Sequence, residues 1–178
     1  MTLSALKYPI GQPEIPKNIT KKNIKDWVSV LERFPQELEF LIRDLSENQL
    51  DTVYREGGWT IRQVMHHCYD SHHNSYNRFK WALTEDKPII KAYHEDLWAE
   101  LHDSTSAPIF LSIDALKSLH AKWVYLLNGL SDKDLEKSFI HPSGNEEVGL
   151  KENIGIYAWH CQHHFAHIEQ LMIRKGWK

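Results

Sequence analysis

The stretch AWHCQHHFAHIEQL, residues Ala158–Leu171, places four histidines within eight consecutive positions. Apolar residues recur at steps of three and four from Ile154 to Met172 through this stretch, which is the period of an amphipathic helix. A glycine at position 176 is typical of a helix end. The pattern therefore predicts a long helix over residues 151–175 that carries the four histidines.

A second histidine-rich stretch, VMHHCYDSHHNSY, spans Val64–Tyr76 and contains four more of the chain's 12 histidines. Thr60 and Gln63 stand three residues apart before it, in the spacing of a capping box. The helical period continues to about Thr84 and stops before Pro88. A second long helix is therefore expected over residues 60–84.

Two further segments have the same period. One runs from Thr20 to Leu45, and Pro35 should bend it, while the other covers residues 112–130. Four long amphipathic helices with connecting segments predict an all-α, antiparallel four-helix bundle. The 178 residues fit a single domain, residues 1–178, in which the proline-rich residues 1–19 form an extended arm.

The connections between the helices carry turn signals. Residues 87–111 are expected to be irregular, apart from a short helix at HEDLWAEL, and so long an excursion can cover a site. The stretch IHPSGNEEVGL predicts a loop or a small hairpin, and the sequence leaves this choice open.

Composition excludes several classes of function. The formal net charge is −3 and the sequence has no stripe of basic residues, so no nucleic-acid partner is expected. No secretory leader and no run of 18 apolar residues occurs, which predicts a cytoplasmic protein with no membrane partner. Cys68 and Cys161 lack the spacing of a redox or disulfide motif and are expected to be buried.

Two pairs of histidines on the last helix have the spacing of a metal site. Residues four apart project from the same side of a helix, so His160 and His164 could bind one ion, and so could His163 and His167. His160 and His164 flank the apolar stripe, whereas His163 and His167 point away from it. The first pair is therefore the predicted one, and the second pair is expected to face elsewhere.

A third ligand should come from the second helix, because metal sites in bundles are built from facing helices. Its four histidines are candidates, and periodicity alone favours His72 over His67. Asp70 is a candidate catalytic residue that could orient a ligand or accept a proton, although a solvated carboxylate is the simpler interpretation. The last helix has Cys161 where an HExxH motif requires glutamate, so the helix-borne base of the zincins is missing.

Three motifs carry a resemblance to a known family. They are YPIG at Tyr8–Gly11, GGWTIRQVMHHCYDSHHNSYNRFK at Gly57–Lys80 and YAWHCQHHFAHI at Tyr157–Ile168, and the resemblance extends over nearly the whole chain. The sequence resembles the DinB superfamily, and within it the YfiT-like metal-dependent hydrolases. This resemblance implies a four-helix bundle whose metal ligands are His67, His160 and His164, so it selects His67 against the periodicity.

The resemblance also implies a function. It predicts one divalent metal per chain, zinc or nickel, which activates water for hydrolysis of a small-molecule substrate, and it predicts a homodimer. Relatives in the superfamily transfer low-molecular-weight thiols such as bacillithiol, so a metal-dependent thiol S-transferase is the alternative. A non-catalytic metal-binding bundle is the third hypothesis, and a fourth protein ligand such as His72 or Cys68 would indicate it.

Overall fold

The computed structural model describes residues 2–178. Four helices of 19 to 26 residues form a bundle, and short helices and one hairpin connect them. The elements in chain order are α1 (Leu3–Lys7), α2 (Lys21–Ile42), α3 (Glu47–Leu50), α4 (Ile61–Thr84), α5 (Glu95–Trp98), α6 (His102–Ser106), α7 (Phe110–Asn128), α8 (Asp132–Leu135), β1 (Ser138–His141), β2 (Glu146–Gly149) and α9 (Leu150–Lys175).

The ends of the long helices follow from local chemistry. Thr60 caps α4 by accepting a hydrogen bond from the Gln63 backbone, and the Gln63 side chain accepts one from the Thr60 backbone in return. Gly176 ends α9 at a φ of +69°, a left-handed conformation that favours glycine. Both signals are visible in the sequence, and both helices lie where the sequence predicts them.

Each long helix packs against two neighbours, in the order α2, α7, α4, α9 around the bundle. Hydrogen bonds show that α4 and α9 are antiparallel, since His67 lies against His160 while Ser75 lies against Asn153. Consecutive helices α2 and α4 are diagonally opposite, and so are α7 and α9. The predicted four-helix bundle is therefore confirmed, with a chain order that differs from simple up-and-down winding.

Helix α7 runs parallel to α4, because the α4 histidines 66 and 72 contact Ser112 and His120 respectively. Parallel neighbours need a connection that returns along the length of a helix, about 36 Å for the 24 residues of α4. Residues 85–109 make this return and contain α5 and α6. This requirement explains the long excursion and shows that antiparallel packing applies to only some of the neighbouring pairs.

The residues before α2 differ in part from the predicted extended arm. Leu3–Lys7 form the short helix α1, which begins with a hydrogen bond from the Ala5 backbone to the Thr2 side chain. The following residues lie along α9, where the Trp159 ring nitrogen donates to the Gly11 carbonyl. The arm is therefore part of the wall of the bundle.

The open choice between loop and hairpin is resolved in favour of the hairpin. Strands β1 and β2 are antiparallel, with Phe139 opposite Val148, and the turn contains Gly144 and Asn145 at positive φ. Phe139 is buried against the bundle core. Among residues 2–178, no helix has both the length and the apolar character that a membrane span requires.

Candidate metal centre

The structure brings together His67 from α4 and His160 and His164 from α9. One ring nitrogen from each histidine lies within 4.8 Å of the others. His160 and His164 come from successive turns of one helix, and α4 supplies His67 because the antiparallel packing of the two helices places these turns side by side. The group matches the ligand set that the family resemblance implied.

The donor set fits a divalent transition metal. The Nε2 atoms of His67 and His160 are 3.2 Å apart. Two nitrogen ligands of a tetrahedral zinc ion, each about 2.0 Å from the metal, are separated by about 3.3 Å. Burial, together with neighbouring imidazoles, lowers the pKa of His160 and His164 well below the usual value, and lowers that of His67 to about 4. All three are therefore neutral at pH 7, the form that binds a metal.

Three buried imidazole nitrogens in this region have no hydrogen-bond partner among residues 2–178. They are the Nδ1 atoms of His163, His164 and His167. Buried polar atoms are nearly always hydrogen-bonded, because an unpaired one loses its hydration without compensation. Such atoms around one cavity indicate a site that takes polar partners from outside the polypeptide.

The prediction that His163 and His167 face elsewhere is wrong. Both are buried and line the same cavity as the three candidate ligands. The Nε2 atom of His167 is hydrogen-bonded to the Lys7 carbonyl, and its ring stacks on Tyr54. The arm and the segment before α4 therefore cover the side of α9 that the helical period assigned to solvent.

The segment between α3 and α4 forms one wall of the site. Val53 bridges to Thr60, and Gly57 between them has a φ of +62°, which favours glycine. This tight turn presents the Trp59 ring to His67 at 4.6 Å between ring centroids. The GGWT sequence thus places a large aromatic side chain directly beside a candidate ligand.

The other α4 histidines occupy different places. His72, which periodicity favoured as the third ligand, is fully buried, and its Nε2 lies 2.9 Å from the Nδ1 of His160. His66 bonds to the Ser112 hydroxyl, and His73 is exposed. Helix α4 buries more than one side because it packs against both α7 and α9, so a single apolar stripe could not identify the ligand.

Two carboxylates bear on the chemistry. Asp70, the predicted catalytic residue, is partly buried and does not belong to the cavity lining, and burial beside Asp103 raises its pKa to about 6. Glu95 at the start of α5 is the one carboxylate in the lining among the described residues. No specific pattern in the sequence points to Glu95, apart from the length of the excursion that carries it.

The cavity at the three histidines has a volume of about 420 Å³ and a cationic wall. Lys7, Arg55 and Arg78 line it together with Glu95, and the Nε atoms of both arginines are buried without a partner within residues 2–178. A larger cavity of about 830 Å³ lies between the arm, α2 and α9, but it contains none of the candidate ligands. The smaller cavity therefore contains both the candidate metal ligands and the charged side chains.

The comparisons with known proteins agree with this geometry. The family model of the DinB superfamily matches residues 30–168, which include all three histidines. The chain belongs to the DinB superfamily. This assignment confirms the resemblance on which the choice of His67 rested.

Several members of the superfamily are similar to this chain over their whole length. A protein of Bacillus cereus named "Putative metal-dependent hydrolase" is 51% identical over 175 residues, which cover 98% of this chain and all of the relative. A Bacillus anthracis protein of the same name has the same identity and coverage. YfiT from Bacillus subtilis, described as a probable metal-dependent hydrolase with an unusual four-helix bundle topology, has 44% identity and a TM-score of 0.96 over 98% of this chain and 99% of YfiT.

Proposed function

We propose that this protein is a metal-dependent hydrolase in which His67, His160 and His164 bind one divalent ion, zinc or nickel. The observation that carries the proposal is the convergence of three neutral imidazoles, within 4.8 Å of one another, at a cavity open to small molecules. Three protein ligands leave a coordination position for water, as in catalytic zinc sites. The names of the similar proteins support the same activity.

The bound metal would supply Lewis acidity and a water of lowered pKa. The chain's own residues supply the rest. The Glu95 carboxylate in the cavity wall can accept a proton from the attacking water, and Asp70 stays a predicted proton acceptor that acts from outside the lining. Lys7, Arg55 and Arg78 would bind and orient a substrate that carries a negative charge.

A thiol S-transferase is the second candidate, and the placement of the cysteines favours it over an enzyme with its own thiol nucleophile. Cys68 and Cys161 are fully buried, and burial raises the pKa of both thiols. Any thiol that reacts at the site must therefore enter as a small molecule. The cationic wall suits a thiol that bears a carboxylate.

The third hypothesis, a non-catalytic bundle with a closed metal shell, has less support. Among the described residues the ligand group contains three members, and neither His72 nor Cys68 belongs to it. We infer that the shell keeps an exchangeable position. A homodimer and a cytoplasmic location complete the proposal, and light scattering of the purified protein would test the former.

The metal site is tested by elemental analysis of protein purified without an affinity tag. We expect about one zinc or nickel per chain. His67→Ala, His160→Ala and His164→Ala should each lose it, whereas His73→Ala, which changes an exposed histidine on α4, should keep it. A wild-type chain that binds no divalent metal on titration would overturn the proposal.

The two enzymatic candidates are separated by activity assays on the metal-loaded protein. A panel of anionic esters and amides tests hydrolysis, and a chlorinated aromatic acceptor with bacillithiol, cysteine or glutathione tests thiol transfer. Chelation should abolish the true activity and metal should restore it. Hydrolysis without added thiol supports the first candidate, and thiol-dependent conjugation alone supports the second.

A further inference from the structure

A continuous chain of hydrogen-bonded imidazoles leads from the candidate metal centre into the core. The Nδ1 atom of His160 lies 2.9 Å from Nε2 of His72, and Nδ1 of His72 lies 2.6 Å from Nε2 of His120. The Nδ1 atom of His120 then lies 2.5 Å from the backbone carbonyl of Leu31. The chain crosses the whole bundle, because its four members come from α9, α4, α7 and α2 in turn.

A proline makes the last acceptor available. In an α-helix the carbonyl of residue 31 accepts a hydrogen bond from the N–H of residue 35. Residue 35 is Pro35, which lies inside α2 and has no N–H. The Leu31 carbonyl is therefore free of its usual helical donor, and it faces His120 in the core. The proline that breaks one hydrogen bond of α2 thus gives His120 a partner.

The Leu31 carbonyl determines which nitrogen of each imidazole carries the proton. A carbonyl oxygen only accepts, so Nδ1 of His120 must donate, and in the neutral ring Nε2 of His120 must accept. It follows that Nδ1 of His72 donates to His120 and that Nε2 of His72 accepts from Nδ1 of His160. The remaining nitrogen of His160, Nε2, then carries a lone pair, and this is the atom that lies 3.2 Å from Nε2 of His67.

We propose that His72 and His120 are positioning residues, and that the Leu31 carbonyl released by Pro35 sets the tautomer of His160 through them. His160 is held with its proton on Nδ1 and its Nε2 lone pair directed at the metal site. The proposal rests on the proposed metal site. It assigns a role to Pro35, which lies on the helix diagonally opposite α4 and contributes no ligand.

The alternative is that these histidines only fill the core. A fully buried imidazole brings two polar atoms into an apolar environment, and an aromatic hydrocarbon of similar size would avoid this cost. Phe34 packs against both rings, which shows that hydrocarbon side chains are compatible with this part of the core. The same buried chain satisfies both nitrogens of His72 and His120, so its polar atoms are fully paired.

The first test measures zinc affinity by competition with a chelator of known affinity. His120→Leu removes the acceptor of His72 and should weaken zinc binding about 10- to 100-fold, the range found when hydrogen-bond partners of metal ligands are removed. His120→Gln has an amide that can donate to Leu31 and accept from His72, so it should recover most of the affinity. Equal affinities for wild type, Leu and Gln variants would contradict the proposal.

The second test uses Pro35→Ala, which restores an N–H that competes with His120 for the Leu31 carbonyl. Replacing a proline inside a helix should keep or raise the melting temperature. If Pro35 only shapes α2, zinc affinity should stay at the wild-type value. We expect zinc affinity to fall severalfold while the melting temperature does not fall. A purely structural role of Pro35 does not produce this combination.

A spectroscopic readout separates this proposal from the proposed function. In metal-free protein, ring ¹⁵N shifts and two-bond ¹H–¹⁵N correlations identify the protonated nitrogen of each histidine. We expect Nδ1–H for His72, His120 and His160 in the wild type, and loss of this preference at His160 in His120→Leu. Failure of the wild type to bind metal would reject the metal site but leave this measurement valid. A proton on Nε2 of His160 in the wild type would instead reject the proposed hydrogen-bond chain from Leu31 to His160.

Discussion

The four histidines of α9 form two pairs with the same spacing and different surroundings, although all four line one cavity. His160 and His164 meet α4, where His67 completes a group of ligand atoms. His163 and His167 lie beneath the arm and Tyr54, where the partners are a backbone carbonyl and aromatic rings. Identical spacing on one helix therefore produces a candidate ligand pair and, beside it, a pair that packs against the arm and Tyr54.

The segment that packs against each pair determines which other side chains lie near its imidazoles. Helix α4 places His67 beside His160 and His164. The Nδ1 of His160 has an ordered partner in His72, whereas the Nδ1 atoms of His163, His164 and His167 have none within residues 2–178, so the pairs differ in their distance from His67 and not in how well they are hydrogen-bonded. Burial is common to both pairs and lowers the pKa of all four. The effect of each pair on metal affinity can therefore be measured separately from the effect on acid stability that both pairs share.

The largest expected effect is acid unfolding of the metal-free protein. Burial lowers the pKa of His67, His120 and His167 to about 4 and that of His163 to about 3, against 6.5 for an unperturbed histidine. The unfolded chain therefore binds more protons as the pH falls below 6.5, which favours unfolding. Each such histidine costs about 2 kcal/mol of stability at pH 5, and several together approach the full stability of a domain.

Circular dichroism and chemical denaturation between pH 7 and pH 4 measure this effect. Stability should be fully present above pH 6.5 and should fall through the window down to about pH 4. The double variant His163→Gln, His167→Gln removes two of these groups and should move the acid midpoint to lower pH. A free energy of unfolding that is constant from pH 7 to pH 4 would show that these histidines have the same pKa in the folded and unfolded states.

The next largest effect separates the two pairs by metal affinity. His164→Ala removes a proposed ligand and should weaken zinc binding at least about 100-fold, or about 3 kcal/mol, because metal affinity depends on the ligand count. His163→Ala, which changes a neighbour in the same cavity lining, should change zinc affinity by less than about threefold. Chelator competition at pH 7 measures both affinities, and equal losses would mean that the two histidine pairs act as one site.

Helix positions and site identity were predictable from different kinds of information. The periods and caps located α4 and α9 closely, because caps such as Thr60 and Gly176 act locally. The choice of His67 came from the family motif, since α4 packs against two neighbours and its period could not distinguish between them. Periodicity alone favoured His72 for the same physical reason, and His72 does contact a candidate ligand.

Features that depend on distant segments were not predictable from the sequence. The burial of His167 requires the Lys7 carbonyl, which is 160 residues away in the chain. Glu95 reaches the cavity because a parallel pair of helices forces residues 85–109 back along the bundle. No local pattern encodes either contact, because both arise when the four helices assume their mixed directions.

A smaller effect distinguishes the two aromatic walls. Trp59 packs beside the candidate ligand His67, and Tyr54 stacks on His167 with ring centroids 4.0 Å apart. Tyr54→Leu should lower the free energy of unfolding by about 1 kcal/mol and leave zinc affinity unchanged. Trp59→Leu should lower both, because it also loosens the ring of a ligand. Urea denaturation and chelator competition on the same samples test this, and identical profiles for the two variants would contradict it.

The smallest expected effect concerns the contact between the arm and α9 at Gly155, in the larger cavity. A Cβ at Gly155 would lie 2.8 Å from Cδ1 of Ile15 in the arm and 3.0 Å from the Trp27 ring, so Gly155→Ala must displace the arm side chain. Alanine also favours the helix by about 1 kcal/mol over glycine, which should hold the net change in unfolding free energy below about 1 kcal/mol.

The susceptibility of the arm to protease should change more than the free energy of unfolding does. Limited trypsin digestion at Lys7 and Lys17 should accelerate in Gly155→Ala, while zinc affinity stays at the wild-type value because Gly155 lines the larger cavity, which contains none of the three candidate ligands. Gly149→Ala is the matched control, since its Cβ would meet no atom within 4 Å. A loss of zinc affinity in Gly155→Ala alone would show that the arm holds the ligand side of the helix as well as the side that it covers.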